Sequence, residues 1–330
     1  MTTNSLVRGE WIPEESIESF KTWYPVDVVD ENGLPVIFWR FVGEVLFNKP
    51  FFADTFMSLP SVHRKVCRTE CNALNQFDDG TCLDPQAFIF HASRCGSTLL
   101  TQLLSILPSC IALSEPPAFD AALKWATRTE DGAMANGLLR NIVRILGQKR
   151  FDESHYFIKL DSWHINHLSF IREVFPQVPC YFFYRDPLAI LASHKRQPGP
   201  QMVPDLIPTD MVGVPADTTH IQNLDAYFAK VLIRFFRSAL NAAKSGHIVL
   251  VNYFQLPEYI WHTFLPSFSI DITASELETM QTRLTMHSKH LCQQFNAEES
   301  AGVDSVPLIL MDEVEELYAK LENIRKDQTL

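Results

Sequence analysis

The chain predicts an α/β domain: a parallel sheet with helices on both faces, joined to an aromatic-rich N-terminal segment. Three observations carry this. From residue 86 onward, short apolar runs alternate with amphipathic stretches, the pattern of successive βαβ units. Two of those runs, at residues 87–90 and 180–184, are apolar without polar alternation, as strands buried on both faces are. And 330 residues suffice for one large domain, or for one domain with an appendage.

Taken in order, residues 1–85 hold Trp11, Trp23 and Trp39 and the clusters Phe38-Trp39-Arg40-Phe41 and Pro50-Phe51-Phe52. Such aromatic density argues for a packed segment that lies on the main domain, not a disordered tail. The main domain, 86–330, opens with a strand at 87–90, a helix at 97–107 and a strand at 110–114. Helices near 118–129 and 133–148, a strand at 156–160 and a helix at 163–174 follow. Next come the strand at 180–184 and a helix at 187–196, with Pro187 in its first turn, where a missing N–H costs nothing. A polar, Pro-rich loop at 197–219 precedes an amphipathic helix at 221–244 and a strand at 247–252. Loops of that length are usually functional or disordered. A charged helix, 311–326, closes the chain and reads as a solvated outer layer.

The segment Phe88-Ile-Phe-His-Ala-Ser-Arg-Cys-Gly-Ser-Thr-Leu-Leu100 carries the first chemistry. A strand, a small-residue loop and a helix start bring free backbone N–H groups and the positive end of a helix dipole to one spot, which favours a phosphate. The loop is of P-loop type but departs from the nucleotide-hydrolysing form G-x-x-x-x-G-K-[ST]. Gly96 is followed by Ser97 and Thr98, so the phosphate-reaching Lys is missing; the cation sits earlier, at Arg94, and His91 replaces the first Gly. ATP and GTP therefore fit poorly. The stretch Ser93-Arg-Cys-Gly-Ser-Thr-Leu-Leu100 resembles the 5′-phosphosulfate loop of sulfotransferases that use 3′-phosphoadenosine 5′-phosphosulfate (PAPS), often P-R-S-G-T-T-L-L. Ser93, Cys95 and His91 depart from that pattern. The resemblance implies that Arg94, Cys95, Gly96, Ser97 and Thr98 hold the cofactor's 5′ end. A plain strand–helix turn is the alternative.

A second element supports the resemblance. Arg185-Asp-Pro leads from the strand at 180–184 into a helix that carries Ser193. A guanidinium and a hydroxyl so spaced suit a second phosphate, because a helix rises only about 1.5 Å per residue. The pattern resembles the family's 3′-phosphate element; a sheet-end ion pair of Arg185 with Asp186 or Asp161 is the plainer reading. Glu115 and Lys159 end strands, where open α/β sheets place their ligands. The spacings Arg94 to Glu115 and Lys159 to Arg185 agree with the branch that resembles tyrosylprotein sulfotransferases, in which a Glu is the base. Glu115 is thereby expected to take the acceptor's proton, and Lys159 and Arg94 to offset growing negative charge. Capping of the helix near 118 by Glu115, and neutralisation of Asp161 by Lys159, are the structural alternatives. The resemblance covers 86–195 well and 245–265 weakly, where Tyr253 matches the family's strand-end aromatic.

Several residues stay open. His91 competes with Glu115 as base or is a strand-end histidine held by backbone; His164 and His167 read as structural. Arg283, Ser288 and Lys289 either close over the 3′-phosphate or decorate a solvated helix face. Cys95 is an acidic, oxidisable thiol at a helix N-terminus or simply a small residue. His63, Cys67 and Cys71 fall on one helical face with Cys82 beyond, an incomplete zinc pattern. The loop 197–219 is a candidate for gating the acceptor.

A net charge of −11 offers no basic field for nucleic acid and disfavours a polyanionic acceptor. Seven Cys, no secretory leader pattern and no apolar run of spanning length point to a reduced cytoplasm, away from membranes. The expected activity is PAPS-dependent sulfuryl transfer to a small-molecule hydroxyl or amine, with no metal. A small-molecule kinase using ATP–Mg²⁺, and a catalytically silent nucleotide- or protein-binding module, are the alternatives. Neither the acceptor nor the oligomeric state is legible.

Overall fold

The computed structural model describes residues 5–17, 19–76, 80–215, 222–286 and 306–328. Its strands, in chain order, are β1 (Glu10–Trp11), β2 (Trp23–Glu31), β3 (Leu34–Phe41), β4 (Lys65–Glu70), β5 (Ala87–His91), β6 (Cys110–Ser114), β7 (His155–Lys159), β8 (Cys180–Tyr184) and β9 (Val249–Asn252). The helices that matter most for the site are α1 (Phe52–Ser58), α2 (Ser97–Leu104), α3 (Pro117–Ala126), α4 (Gly132–Leu146), α5 (Leu168–Val174) and α6 (Pro187–Arg196). A five-stranded parallel sheet, flanked by helices, runs in the order β6-β7-β5-β8-β9. This is the predicted α/β fold. The chain leaves β5 toward β6 and β7 on one side and continues through β8 to β9 on the other. The topological switch point thus falls between β5 and β8, where open α/β sheets bind ligands at the strands' carboxyl ends.

By backbone contacts the chain divides into two compact units, Met1–Gln86 with Thr101–Lys159, and Ala87–Leu100 with Leu160–Leu330. In the first, the N-terminal aromatics build a second sheet of order β1-β4-β3-β2. β2 and β3 form a hairpin closed by Asn32 and Gly33, whose φ values of 56° and 84° are both left-handed, as a type I′ turn requires. The core packs Trp23, Tyr24, Trp39, Phe47, Phe52 and Phe56, with Phe47 and Phe52 stacked at 4.9 Å. Two polar ties anchor the start and end of this hairpin's first strand, one to α3 and one to Gln148 beyond α4. Trp125 of α3 donates from Nε1 to Asp30 Oδ2 at 2.9 Å. The Gln148 side chain accepts from Thr22 N at 2.8 Å and donates to Trp23 O at 2.6 Å. α4 is capped by Asp131, whose side chain accepts from Met134 N at 2.9 Å. β6 and β7 pair in register, Ser114 opposite Lys159.

One expectation fails in this unit. His63, Cys67 and Cys71 share no helical face: His63 ends a 3₁₀ turn, Cys67 lies within β4, and Cys71 opens another 3₁₀ turn. Lys65-Val-Cys-Arg-Thr-Glu70 is a strand in which Cys67 and Thr69 are buried on one face and Val66 on the other. Burial pushes the Cys67 thiol up to about 11, which keeps it protonated and a poor metal ligand.

In the second unit β5 and β8 are buried along their whole length and pair in parallel, His91 opposite Phe183. α6 has Pro187 in its first turn, and Asp186 caps it by accepting from Ala189 N at 3.0 Å. The predicted helix 163–174 is instead a 3₁₀ segment, Ser162–His167, that opens on a capping box of Asp161 and His164 and runs into α5. Beyond α6, the Pro-rich stretch is anchored at points, with Gln201, Met202, Met211, Val212 and Val214 buried and much of the rest exposed. Asn166 secures it by donating to Met211 O at 3.0 Å and Val212 O at 2.9 Å. The closing helix, Leu308–Gln328, is not a solvated layer. Val314, Leu317, Leu321 and Arg325 are buried, a stripe at helical spacing that packs on the helix Leu224–Lys244. Among the described residues no helix is long and apolar enough to cross a membrane, and the cysteines are free thiols.

Candidate functional site

The phosphate-type loop is built by unusual backbone. Ser93, Arg94 and Gly96 hold φ values of 65°, 51° and 82°, and α2 starts at the next residue, Ser97. Two consecutive left-handed residues that carry a Cβ are costly, about 1–2 kcal/mol each, so neighbours must enforce them. They do. His91 accepts from Ser93 N at Nδ1 (3.0 Å), Ala92 N donates to Phe183 O at 2.9 Å, and the Cys95 thiol donates to the same carbonyl at 3.1 Å. Successive N–H groups in such a turn form a concavity suited to an anion, ahead of a helix whose first N–H groups have no partner within the helix. Ser97 and Thr98, the first two residues of α2, are buried.

Cys95 is thus buried and spent on a hydrogen bond that ties the loop to β8, which supports the small-residue reading. His91 is buried too. Because Nδ1 accepts from backbone, the neutral ring carries its proton on Nε2 and offers no lone pair for proton abstraction. Arg94 donates from Nη2 to Gln197 O at 2.6 Å, at the C-terminal end of α6 where a cation is favoured.

Gly96 is required for space as well as conformation. A Cβ there would lie 2.7 Å from Leu256 Cδ1 and 2.9 Å from Tyr253 Cδ2. Gly96→Ala is expected to cost about 2 kcal/mol of stability from strain alone, read as a lower denaturant midpoint. An unchanged midpoint would contradict the loop geometry.

Tyr253 follows β9 and links the loop to the second element. Its ring lies against Gly96, and the Arg185 guanidinium sits over it at 4.5 Å from the centroid. Arg185 is half-buried, and among the described residues this stacking is its contact; the expected alternative pairing with Asp186 is not made, since Asp186 caps α6. Ser193 is buried in the second turn of α6. Tyr253 thus joins the site residues, and its place at the carboxyl end of β9 is the sequence signal for it. Arg283 ends the helix Ala274–Leu284 and donates to Met286 O at 3.4 Å; Ser288 and Lys289 lie outside the described residues.

In the first unit, Glu115 and Lys159 form an ion pair at adjacent strand ends. Lys159 is buried, also donates to Ser114 Oγ at 3.3 Å, and stands over the Phe51 ring at 5.2 Å. Glu115 holds φ 55° and donates its N–H to Lys159 O at 2.7 Å. A left-handed glutamate is a backbone outlier of the kind found at functional sites. The N-cap residue of α3 is Pro116, which makes no side-chain cap. The pair offers what proton transfer needs, a part-exposed carboxylate and a cation fixed beside it.

No family model matches the chain, and no curated protein does. Solved structures are similar to it. The sulfotransferase STF9 from Mycobacterium avium is 13% identical with a TM-score of 0.48, covering 76% of this chain and 78% of its own. The sulfotransferase domain from the curacin biosynthetic pathway is 12% identical with a TM-score of 0.43, covering 73% and 99%. A mouse sulfotransferase, SULT7A1, complexed with PAP, is 12% identical with a TM-score of 0.39, covering 76% and 87%. These three proteins are sulfotransferases.

Proposed function

We propose that the protein is a sulfotransferase that moves a sulfuryl group from PAPS to a hydroxyl or amine of a small molecule. The observation that carries this reading is the left-handed loop and the Arg185 element at the β5/β8 switch point, both against the Tyr253 ring. The loop, with its run of left-handed residues and no Lys after Gly96, suits a 5′-phosphosulfate. Arg185 and Ser193 suit a 3′-phosphate, which ATP lacks. A cradle that a single Cβ would fill fits a backbone meant to approach its ligand closely.

In the reaction, Glu115 takes the acceptor's proton as the acceptor oxygen bonds to sulfur. The bond between sulfur and the 5′-phosphate oxygen breaks, and adenosine 3′,5′-bisphosphate leaves. Lys159 and Arg94 offset the charge on the departing and sulfuryl oxygens, with Ser97 and Thr98 as further donors. Arg94 gives one of its five N–H donors to Gln197 O, through Nη2. Local cations balance the charge in this scheme, so it requires no metal ion. Membership of the tyrosylprotein-like branch rests on the motif spacings, and a cytoplasmic setting on the free thiols.

Thermal unfolding with added nucleotide tests the reading. A bisphosphate concentration one hundredfold above its Kd is expected to add about 2.7 kcal/mol to native stability, while ATP–Mg²⁺ adds little. Sulfate transfer from labelled PAPS into a metabolite extract then separates an enzyme from a silent binder. Stabilisation by ATP–Mg²⁺ alone would favour a kinase.

A further inference from the structure

The residues that precede Arg185 and Tyr253 in the chain are tied to one carboxylate on the C-terminal helix. Tyr184 donates its hydroxyl hydrogen to Glu322. Asn252 donates from Nδ2 to the same Oε1 at 2.8 Å and to the Tyr318 hydroxyl at 2.9 Å. Arg325 donates from Nε to Oε1 at 3.1 Å and from Nη2 to Oε2 at 2.9 Å. Tyr184, Asn252 and Arg325 are all buried. Burial opposes ionisation of Glu322, yet these donors outweigh it and hold the carboxyl below its usual range. Arg325 also stands over the Phe254 ring at 4.8 Å. A carboxylate 137 residues beyond Arg185 (322 − 185) is therefore the common anchor of both strand ends.

We propose that Glu322 is a positioning residue for the 3′-phosphate clamp: through Tyr184 and Asn252 it fixes the roots of Arg185 and Tyr253, so that the guanidinium is presented in one geometry. The inference rests on the nucleotide reading above. Docking of the helix alone does not need this network, because Val314, Leu317 and Leu321 already bury its apolar stripe. Glu322 is itself only half-buried, and a carboxylate–Arg pair of this kind is weak as a source of stability, which leaves the fixing of a geometry as its use. Functional groups held to within a fraction of an ångström need such a supporting shell. Glu322 Oε1 accepts from both strand ends, and Arg325 engages both carboxylate oxygens.

The test compares dissociation constants, by titration calorimetry, for adenosine 3′,5′-bisphosphate and adenosine 5′-monophosphate, which lacks the 3′-phosphate. Tyr184→Phe, which deletes one hydroxyl, and Glu322→Gln are each expected to reduce the preference for the bisphosphate about tenfold while changing monophosphate affinity little. A parallel loss of both nucleotides would mark a purely structural role and overturn the proposal, as would an unchanged preference. If Glu322→Gln fails to fold, Tyr184→Phe decides. Arg185→Lys separates the two readings. If the unaltered protein shows no preference for the bisphosphate, the nucleotide reading itself fails. If it shows one that Arg185→Lys lowers and the other two variants keep, only the positioning role is lost.

Discussion

Glu115→Gln is expected to lower sulfuryl transfer by roughly 10²–10⁴-fold, the usual worth of a positioned general base, with bisphosphate affinity nearly unchanged. The amide keeps a hydrogen-bond acceptor for Lys159, so the ammonium stays partly satisfied and the fold survives. Glu115→Ala differs in kind. It strips the buried Lys159 of its counter-charge, and the cost of an unpaired buried ion is about 3–5 kcal/mol when both partners are dry. Glu115 is 24% exposed in its side chain, so solvent reaches the pair and roughly 2 kcal/mol is the better expectation. Rate and stability measured on both variants thus divide chemistry from folding. A Gln variant that turns over at near the normal rate would remove Glu115 as the base. It would also reopen His91, despite the backbone hydrogen bond that occupies its Nδ1.

The strands of the main sheet were legible because burial on both faces leaves no ambiguity. β8 and all but the last residues of β5 and β6 (His91 and Ser114) are apolar, and the ends lie within a residue of expectation. Local capping chemistry was equally readable, as with Pro187 and Asp186. Some of the missed features had a signal. Asn32-Gly33 between two apolar stretches is a hairpin turn, yet the aromatic density of residues 1–85 drew attention to packing instead of pairing. The closing helix misled because its charge dominates its composition, while Val314, Leu317 and Leu321 form a narrow stripe. Other features had none. Which cation meets Glu115 depends on β6 and β7 pairing in register, and the Glu322 cluster gathers side chains from three distant elements. Local sequence carries no trace of such convergence. The backbone strain at Ser93, Arg94 and Glu115 is likewise imposed from outside, because these residues do not favour left-handed φ themselves.

Arg185→Ala is expected to weaken adenosine 3′,5′-bisphosphate binding by about 2–5 kcal/mol, the loss typical when one partner of a desolvated charge pair is removed. Stability should change little, since among the described residues the guanidinium stacks on Tyr253 and holds no ion pair that its loss would break. The nucleotide dependence is the decisive readout. Adenosine 5′-monophosphate engages the loop but offers nothing to Arg185, so its affinity should be indifferent to the substitution. Arg185→Lys keeps the charge but gives up the planar fork that meets two phosphate oxygens at once, and should recover only part of the loss. If the Ala variant binds both nucleotides as the unaltered protein does, residue 185 does not hold the 3′-phosphate. The preference for PAPS over ATP would then need another source, and among basic residues the described structure offers Arg283, half-buried at the end of its helix, as the one the sequence also singled out.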